Sequence, residues 1–210
     1  MPTQVLLIRH GETDWNAIGR WQSGAPVPLN ATGEAQARAL ARYLAARGPR
    51  IDVIYSSPLN RALQSARIIA AALELPVHTD ERLREVDLGD WQGLNRAEAM
   101  AWDGERYAAY EADWRNVRPP NGESRRELQA RARAAFDEVT ARHPGCTIAL
   151  VSHGGTLGML IESLFGPVER PTLANTSFTV VEQAAPGAPW NLVAVALAPH
   201  LDEAPLGETW

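Results

Sequence analysis

Three stretches of this chain set anion-binding residues just after apolar runs. Arg9-His10-Gly11 follows Val5-Leu6-Leu7-Ile8, His153-Gly154-Gly155 follows the run ending in Val151-Ser152, and Ser56-Ser57 follows Val53-Ile54-Tyr55 and leads to Arg61. Cationic side chains at the exit of a buried strand cost desolvation energy unless something anionic meets them. Two imidazoles, two guanidiniums and approachable backbone amides at one point suit a phosphoryl group. Arginine forks bind phosphate oxygens in pairs, glycine lets the backbone N–H come close, and a helix N-terminus adds a favourable dipole. A neutral imidazole can then attack phosphorus and split one hard displacement into two easier ones through a covalent phosphoryl-enzyme. The leaving alkoxide still needs a protonated carboxylic acid. Glu85, in "LREVDLGDWQG", is the candidate, with Glu81, Asp87 and Asp90 close by.

These residues meet only if the fold brings strand ends together. Gln4 to Arg9 reads as a buried strand, and Thr32 can cap a helix whose Ala35, Ala39, Leu40, Tyr43 and Leu44 share a face. Asp52 to Tyr55 is a second strand, after which Ser57 is the expected N-cap with Pro58 at the first helical position. Val77 to Thr79 is a weak third strand; Asn95 to Trp114 is helical but interrupted; "NVRPPNGES" is a loop leading into a long helix from about Ser124 to Arg142. Thr147 to Ser152 is strongly β-patterned, Gly155 to Leu164 is helical, and Ser177 to Gln183 and Leu192 to Leu197 are late strands. Alternating strands and helices predict an α/β sheet covered on both faces. In such sheets ligands bind beyond the carboxyl ends of the strands. Arg61, in the first turn of its helix, leans back toward that rim.

Composition removes other classes. With a net charge of −5 and no basic stripe, the 210-residue chain does not resemble a nucleic-acid binder. No run approaches the ~18 apolar residues of a membrane span, so a cytoplasmic location is expected. The lone Cys146 allows no internal disulfide and no cysteine-based zinc cluster. All 20 basic residues are arginine, which excludes Walker-type and Schiff-base lysines. The "HGGT" stretch is similar to an esterase oxyanion loop, but there is no G-x-S-x-G nucleophile elbow. No H-E-x-x-H spacing supports zinc. His78, His143 and His200 have no supporting context.

The segments "LIRHGETDWN", "SSPLNRALQSA", "REVDLGDWQG" and "LVSHGGTL", in this order, closely resemble the histidine phosphatase superfamily, also called phosphoglycerate mutase-like. The resemblance runs from about Gln4 to Ser177. It implies His10 as the phosphorylated nucleophile, with Arg9, Arg61 and His153 gripping the phosphoryl oxygens and Glu85 as general acid and base. It places Asn16, Ser23 and the Gly154 backbone among the groups that help hold phosphate. It implies a three-layer α/β/α sandwich, a mostly parallel sheet with an antiparallel edge strand, and no metal or other cofactor. A single domain over 1–198 is expected, with a helical cap inserted at about 90–122 and an acidic tail, 199–210, that is disordered or folds over the cap. The compact stretch after Glu85 resembles the phosphatase branch, so hydrolysis of a small-molecule phosphomonoester is expected. A phosphoglycerate mutase is the alternative, and a non-catalytic phospho-ligand module the third reading. A homodimer is left open. Trp91, Trp102, Tyr107, Tyr110 and Trp114 either pack the cap or line a pocket for an apolar, aromatic or sugar-like leaving group.

Overall fold

The computed structural model describes residues 1–167 and 172–202. Strands β1 (Thr3–Arg9), β2 (Val53–Ser56), β3 (Val77–Thr79), β4 (Thr147–Ser152), β5 (Phe178–Gln183) and β6 (Trp190–Leu197) form one sheet in the order β3-β2-β4-β1-β5-β6. The pairs β1–β4, β4–β2 and β2–β3 are parallel, with Arg9 level with Ser152 and Ser56 level with Val151. That register sets the carboxyl ends of β1, β2 and β4 along one rim. Antiparallel pairing is confined to the other side of the sheet, where β5 runs against both β1 and β6.

The strand period of two decides which helices cover which face. Helices are α1 (Asp14–Ala17), α2 (Ala31–Arg47), α3 (Asn60–Leu73), α4 (Arg96–Trp102), α5 (Gly104–Ala112), α6 (Arg125–Arg142), α7 (Gly154–Phe165) and α8 (Pro199–Asp202). Leu6, Ile8, Ile54, Ala149 and Val151 pack with Leu40 and Leu44 of α2 and Ala62, Ala66 and Ile69 of α3. Their neighbours Val5, Leu7, Tyr55, Ile148 and Leu150 pack with Phe136 and Val139 of α6 and Leu157 and Leu160 of α7. The result is the expected three-layer α/β/α sandwich.

Two helix starts differ from the sequence reading. Asn30, not Thr32, caps α2, its Oδ1 accepting the Gly33 N–H at 2.8 Å. Helix α3 begins at Asn60 rather than Pro58, and its N-cap position, Leu59, has no side-chain cap bond. The Ser57 hydroxyl is shared with a buried imidazole: Ser57 Oγ lies 2.8 Å from His153 Nε2, while its lone pair still accepts the Leu59 N–H at 3.2 Å.

The cap aromatics form a small core of their own. Trp91 is wholly buried, and Tyr107 nearly so, in a cluster with Val86, Leu88, Leu128 and Met159 against which Trp21, Tyr110 and Trp114 pack. The Trp91 ring lies 5.5 Å from Tyr107 and 5.2 Å from Tyr110, centroid to centroid. Packing, not ligand contact, accounts for Trp91 and Tyr107, and Trp102 is exposed. At the other end of the chain, α8 docks on α2. His200 is buried there, its Nε2 2.9 Å from Thr176 Oγ1 and its ring 6.3 Å from Tyr43. The rest of the expected tail, 203–210, lies outside the described residues. No helix among the described residues is long and apolar enough to cross a membrane.

Candidate active site

The rim holds its residues by backbone first. His10 N–H continues the parallel ladder to Ser152 O at 3.0 Å, and Gly11 N–H donates to Ser65 Oγ at 3.0 Å. Ser65 Oγ in turn donates to Arg61 O at 2.8 Å, so the loop after β1 is laced to the first turns of α3. Gly11 is obligatory here: a Cβ would sit 2.4 Å from Gly33 O. From the third side, Asn175 Nδ2 and Thr176 N–H both donate to His10 O.

His10 and His153 face each other edge-on with ring centroids 5.2 Å apart, both buried. His10 Nδ1 lies 2.6 Å from Gly11 O; a carbonyl can only accept, so Nδ1 carries the proton and Nε2 keeps its lone pair. Burial, and then the charges of His153, Arg61 and Arg9, hold the His10 imidazole well below its usual range, against the opposing pull of the Gly11 carbonyl. Burial and the Arg61 charge do the same to His153. Both rings are therefore neutral near pH 7.

The guanidiniums are anchored by neutral carbonyls rather than by ion pairs. Arg61, 1% exposed, donates from Nη1 to Ala25 O at 3.2 Å and from Nη2 to Ser23 O at 2.9 Å. Burial lowers its pKa to about 10, which leaves it charged. Arg9 Nη1 donates to Leu173 O. Arg9 Nε, Arg61 Nε and His153 Nδ1 are buried with no hydrogen-bond partner among the described residues. Such groups are costly unless a ligand meets them.

Glu85 is set against the N-terminus of α7. Its Oε2 accepts the Gly155 N–H at 3.0 Å and its Oε1 the Thr156 N–H at 3.1 Å, with Val86 N–H at 2.9 Å and the Thr156 hydroxyl also on Oε1. Burial raises the carboxyl's pKa, but Arg125, the Val86 and Gly155 N–H groups and Arg61 outweigh it and hold Glu85 below its usual range. Arg125 was not singled out in the sequence. Its signal there is weak, a cation in the first turn of a helix, where the dipole disfavours it.

The remaining expected residues also lie at this rim. Asn16 Oδ1 accepts from Thr13 N–H and the Thr13 hydroxyl in the capping box of α1. Ser23, at φ +45° and buried, gives its carbonyl to Arg61 and accepts the Leu88 N–H on its hydroxyl. Gly154 heads α7, where N–H groups lack intrahelical partners, and a Cβ on it would meet Arg9 Nε at an ordinary 3.6 Å. Gly155 differs: its Cβ would lie 2.5 Å from Glu85 Oε1 and 2.7 Å from Arg125 Nη1. Gly155→Ala is thus expected to displace the carboxylate and cost about a hundredfold in kcat/KM for any reaction that uses it, while Gly154→Ala keeps most of that activity. Steady-state rates of the two variants side by side check this; equal rates would show that the Glu85 position is immaterial.

With both imidazoles neutral, three guanidiniums surround one carboxylate, an excess of positive charge that suits a dianion. Comparison with known proteins agrees with that chemistry. The model of the histidine phosphatase superfamily (branch 1) matches residues 5–196. The chain belongs to the histidine phosphatase superfamily. Among relatives of this histidine phosphatase superfamily member, a probable phosphoglycerate mutase, GpmB, of Yersinia enterocolitica is 37% identical over 98% of both chains. An adenosylcobalamin/alpha-ribazole phosphatase of Escherichia coli is 36% identical over 78% of this chain and 79% of its own. Among solved structures, a mycobacterial glucosyl-3-phosphoglycerate phosphatase in complex with VO3 superposes with a TM-score of 0.79 at 32% identity, over 91% of this chain and 97% of that one. Among the described residues, no group of three or more His, Cys, Asp or Glu side chains is arranged to hold a metal ion.

Proposed function

We propose that the protein is a phosphatase that hydrolyses small-molecule phosphomonoesters through a phosphohistidine on His10, without a metal. The observation that carries this reading is the set of buried, unpartnered Arg9 Nε, Arg61 Nε and His153 Nδ1 around an imidazole whose outer nitrogen bears the lone pair. Arg9, Arg61, His153, the Gly154 N–H and the free amide N–H groups of Asn16 would grip the three phosphoryl oxygens, with Ser23 holding Arg61 in place. His10 Nε2 forms the N–P bond as the ester P–O bond breaks, and the proton on Glu85 passes to the leaving oxygen. Glu85, now a carboxylate, takes a proton from water as that water attacks phosphorus; the N–P bond breaks and phosphate leaves.

Glu85 is held ionised in the free protein, so a bound phosphoryl dianion must raise its proton affinity enough for it to take a proton from solvent. A like charge beside a carboxyl raises its pKa, and the substrate brings that charge to the site. The resemblance to a mutase over nearly the whole chain makes phosphoglycerate isomerisation the reading to measure alongside. Steady-state assays over a phosphomonoester panel, with 3-phosphoglycerate isomerisation followed in parallel and with and without EDTA, test all three readings. Hydrolysis exceeding isomerisation and indifferent to EDTA is expected, with inhibition by vanadate. Isomerisation in excess, or no turnover of any ester, would replace the phosphatase reading, and loss of activity in EDTA would remove its metal independence.

A further inference from the structure

Arg125 stands where local physics disfavours it. It is the first residue of α6, directly after the Ser124 N-cap, at the positive end of the helix dipole. It is half-buried. Nearby Arg115, Arg118 and Arg131 are paired with Glu162, Glu127 and Glu123; no salt bridge joins Arg125 to a carboxylate among the described residues. Its Nε instead donates to the Tyr110 hydroxyl of cap helix α5 at 3.3 Å. Its Nη1 and Glu85 Oε1 close on one point from two sides, lying 2.7 and 2.5 Å from where a Gly155 Cβ would be. A sequence that keeps a locally unfavourable residue marks a place where something other than stability is served.

We propose that Arg125 is a positioning residue for the acid: braced by Tyr110, it fixes a positive charge beside the Glu85 carboxylate at the N-terminus of α7 and sets how readily that carboxyl takes and gives up its proton. The proposal rests on the acid and base role given to Glu85 above. The two half-reactions make opposite demands, since the carboxyl must be protonated when the ester breaks and ionised when water attacks. A phosphoryl dianion at the site favours the proton, and Arg125 opposes it. Other groups bearing on the carboxylate are Arg61 from α3, Arg9 from β1, the N–H groups of Gly155 and Thr156 with the Thr156 hydroxyl from α7, and the Val86 N–H of its own loop. His10 and His153 are uncharged, and Arg131 binds the Glu85 carbonyl rather than its side chain. Among the charges, Arg125 weighs most on Glu85.

The test is a carbon-13 titration of the Glu85 carboxyl, identified by its loss in Glu85→Gln, together with the pH dependence of kcat for glycerol phosphate. Arg125→Met is expected to raise the Glu85 midpoint by about one to two pH units and to move the alkaline limb of kcat upward by a similar amount. Arg125→Lys should restore most of the original midpoint. Tyr110→Phe, which keeps the ring edge-on against Trp91, should shift it part of the way. An unmoved Glu85 midpoint in Arg125→Met and Tyr110→Phe proteins, folded by circular dichroism, overturns the proposal. A moved midpoint with an unmoved limb overturns it differently, by taking the acid role away from Glu85 itself.

Discussion

Replacing His10 with alanine is expected to abolish turnover while leaving phosphate binding in place. The grip on the anion does not depend on the imidazole: Arg61 is held by Ala25 O and Ser23 O, and Arg9 by Leu173 O. Loss of a covalent nucleophile from an otherwise intact site costs on the order of 10⁴-fold or more in kcat. Rapid quench of the unmodified protein in alkaline detergent, with phosphorus-32-labelled substrate, should trap a phosphoenzyme that is base-stable and acid-labile, and calorimetry with vanadate should show binding to both proteins. A fully active His10→Ala variant would end the phosphohistidine mechanism.

Glu85→Gln is expected to separate substrates by their leaving groups. An alkoxide leaves badly without a proton, so alkyl phosphates should lose on the order of 10² to 10⁴-fold. Nitrophenolate leaves without one, and para-nitrophenyl phosphate should lose no more than about tenfold. The direction of the pH dependence follows from the geometry. Glu85 is held low in the free protein and must be protonated in the complex, so kcat on alkyl phosphates falls as pH rises through the complex's Glu85 pKa. In Glu85→Gln that limb disappears. Equal losses on both substrates would remove Glu85 from proton transfer.

The sheet and the rim were legible because each rests on local signals. β-patterned runs end in Arg9, Ser56 and Ser152, and the parallel register that aligns them follows from helical crossovers between strands. What escaped were residues whose importance comes from another element. Ser57 has the sequence of an N-cap and accepts the Leu59 N–H, but nothing local shows that His153, 96 positions away, shares its hydroxyl. Arg125 looks like one more surface arginine until α7 and the Glu85 loop are folded beside it. Asn175 and Thr176 hold His10 O from a turn that no period or motif marks. The cap was ambiguous for the opposite reason: an aromatic cluster serves packing or binding equally well in sequence, and only the complete burial of Trp91 decides for packing.

The carbonyl anchors of Arg61 bear on timing. An arginine paired with a carboxylate would have to break that pair before taking a phosphoryl oxygen, and the protein would reorganise during each catalytic cycle. Ala25 O and Ser23 O fix the guanidinium plane without neutralising it, so the reorganisation is completed once, when the chain folds. An Arg61→Lys substitution keeps the charge but cannot span both carbonyls, which makes orientation rather than charge the quantity this site stores.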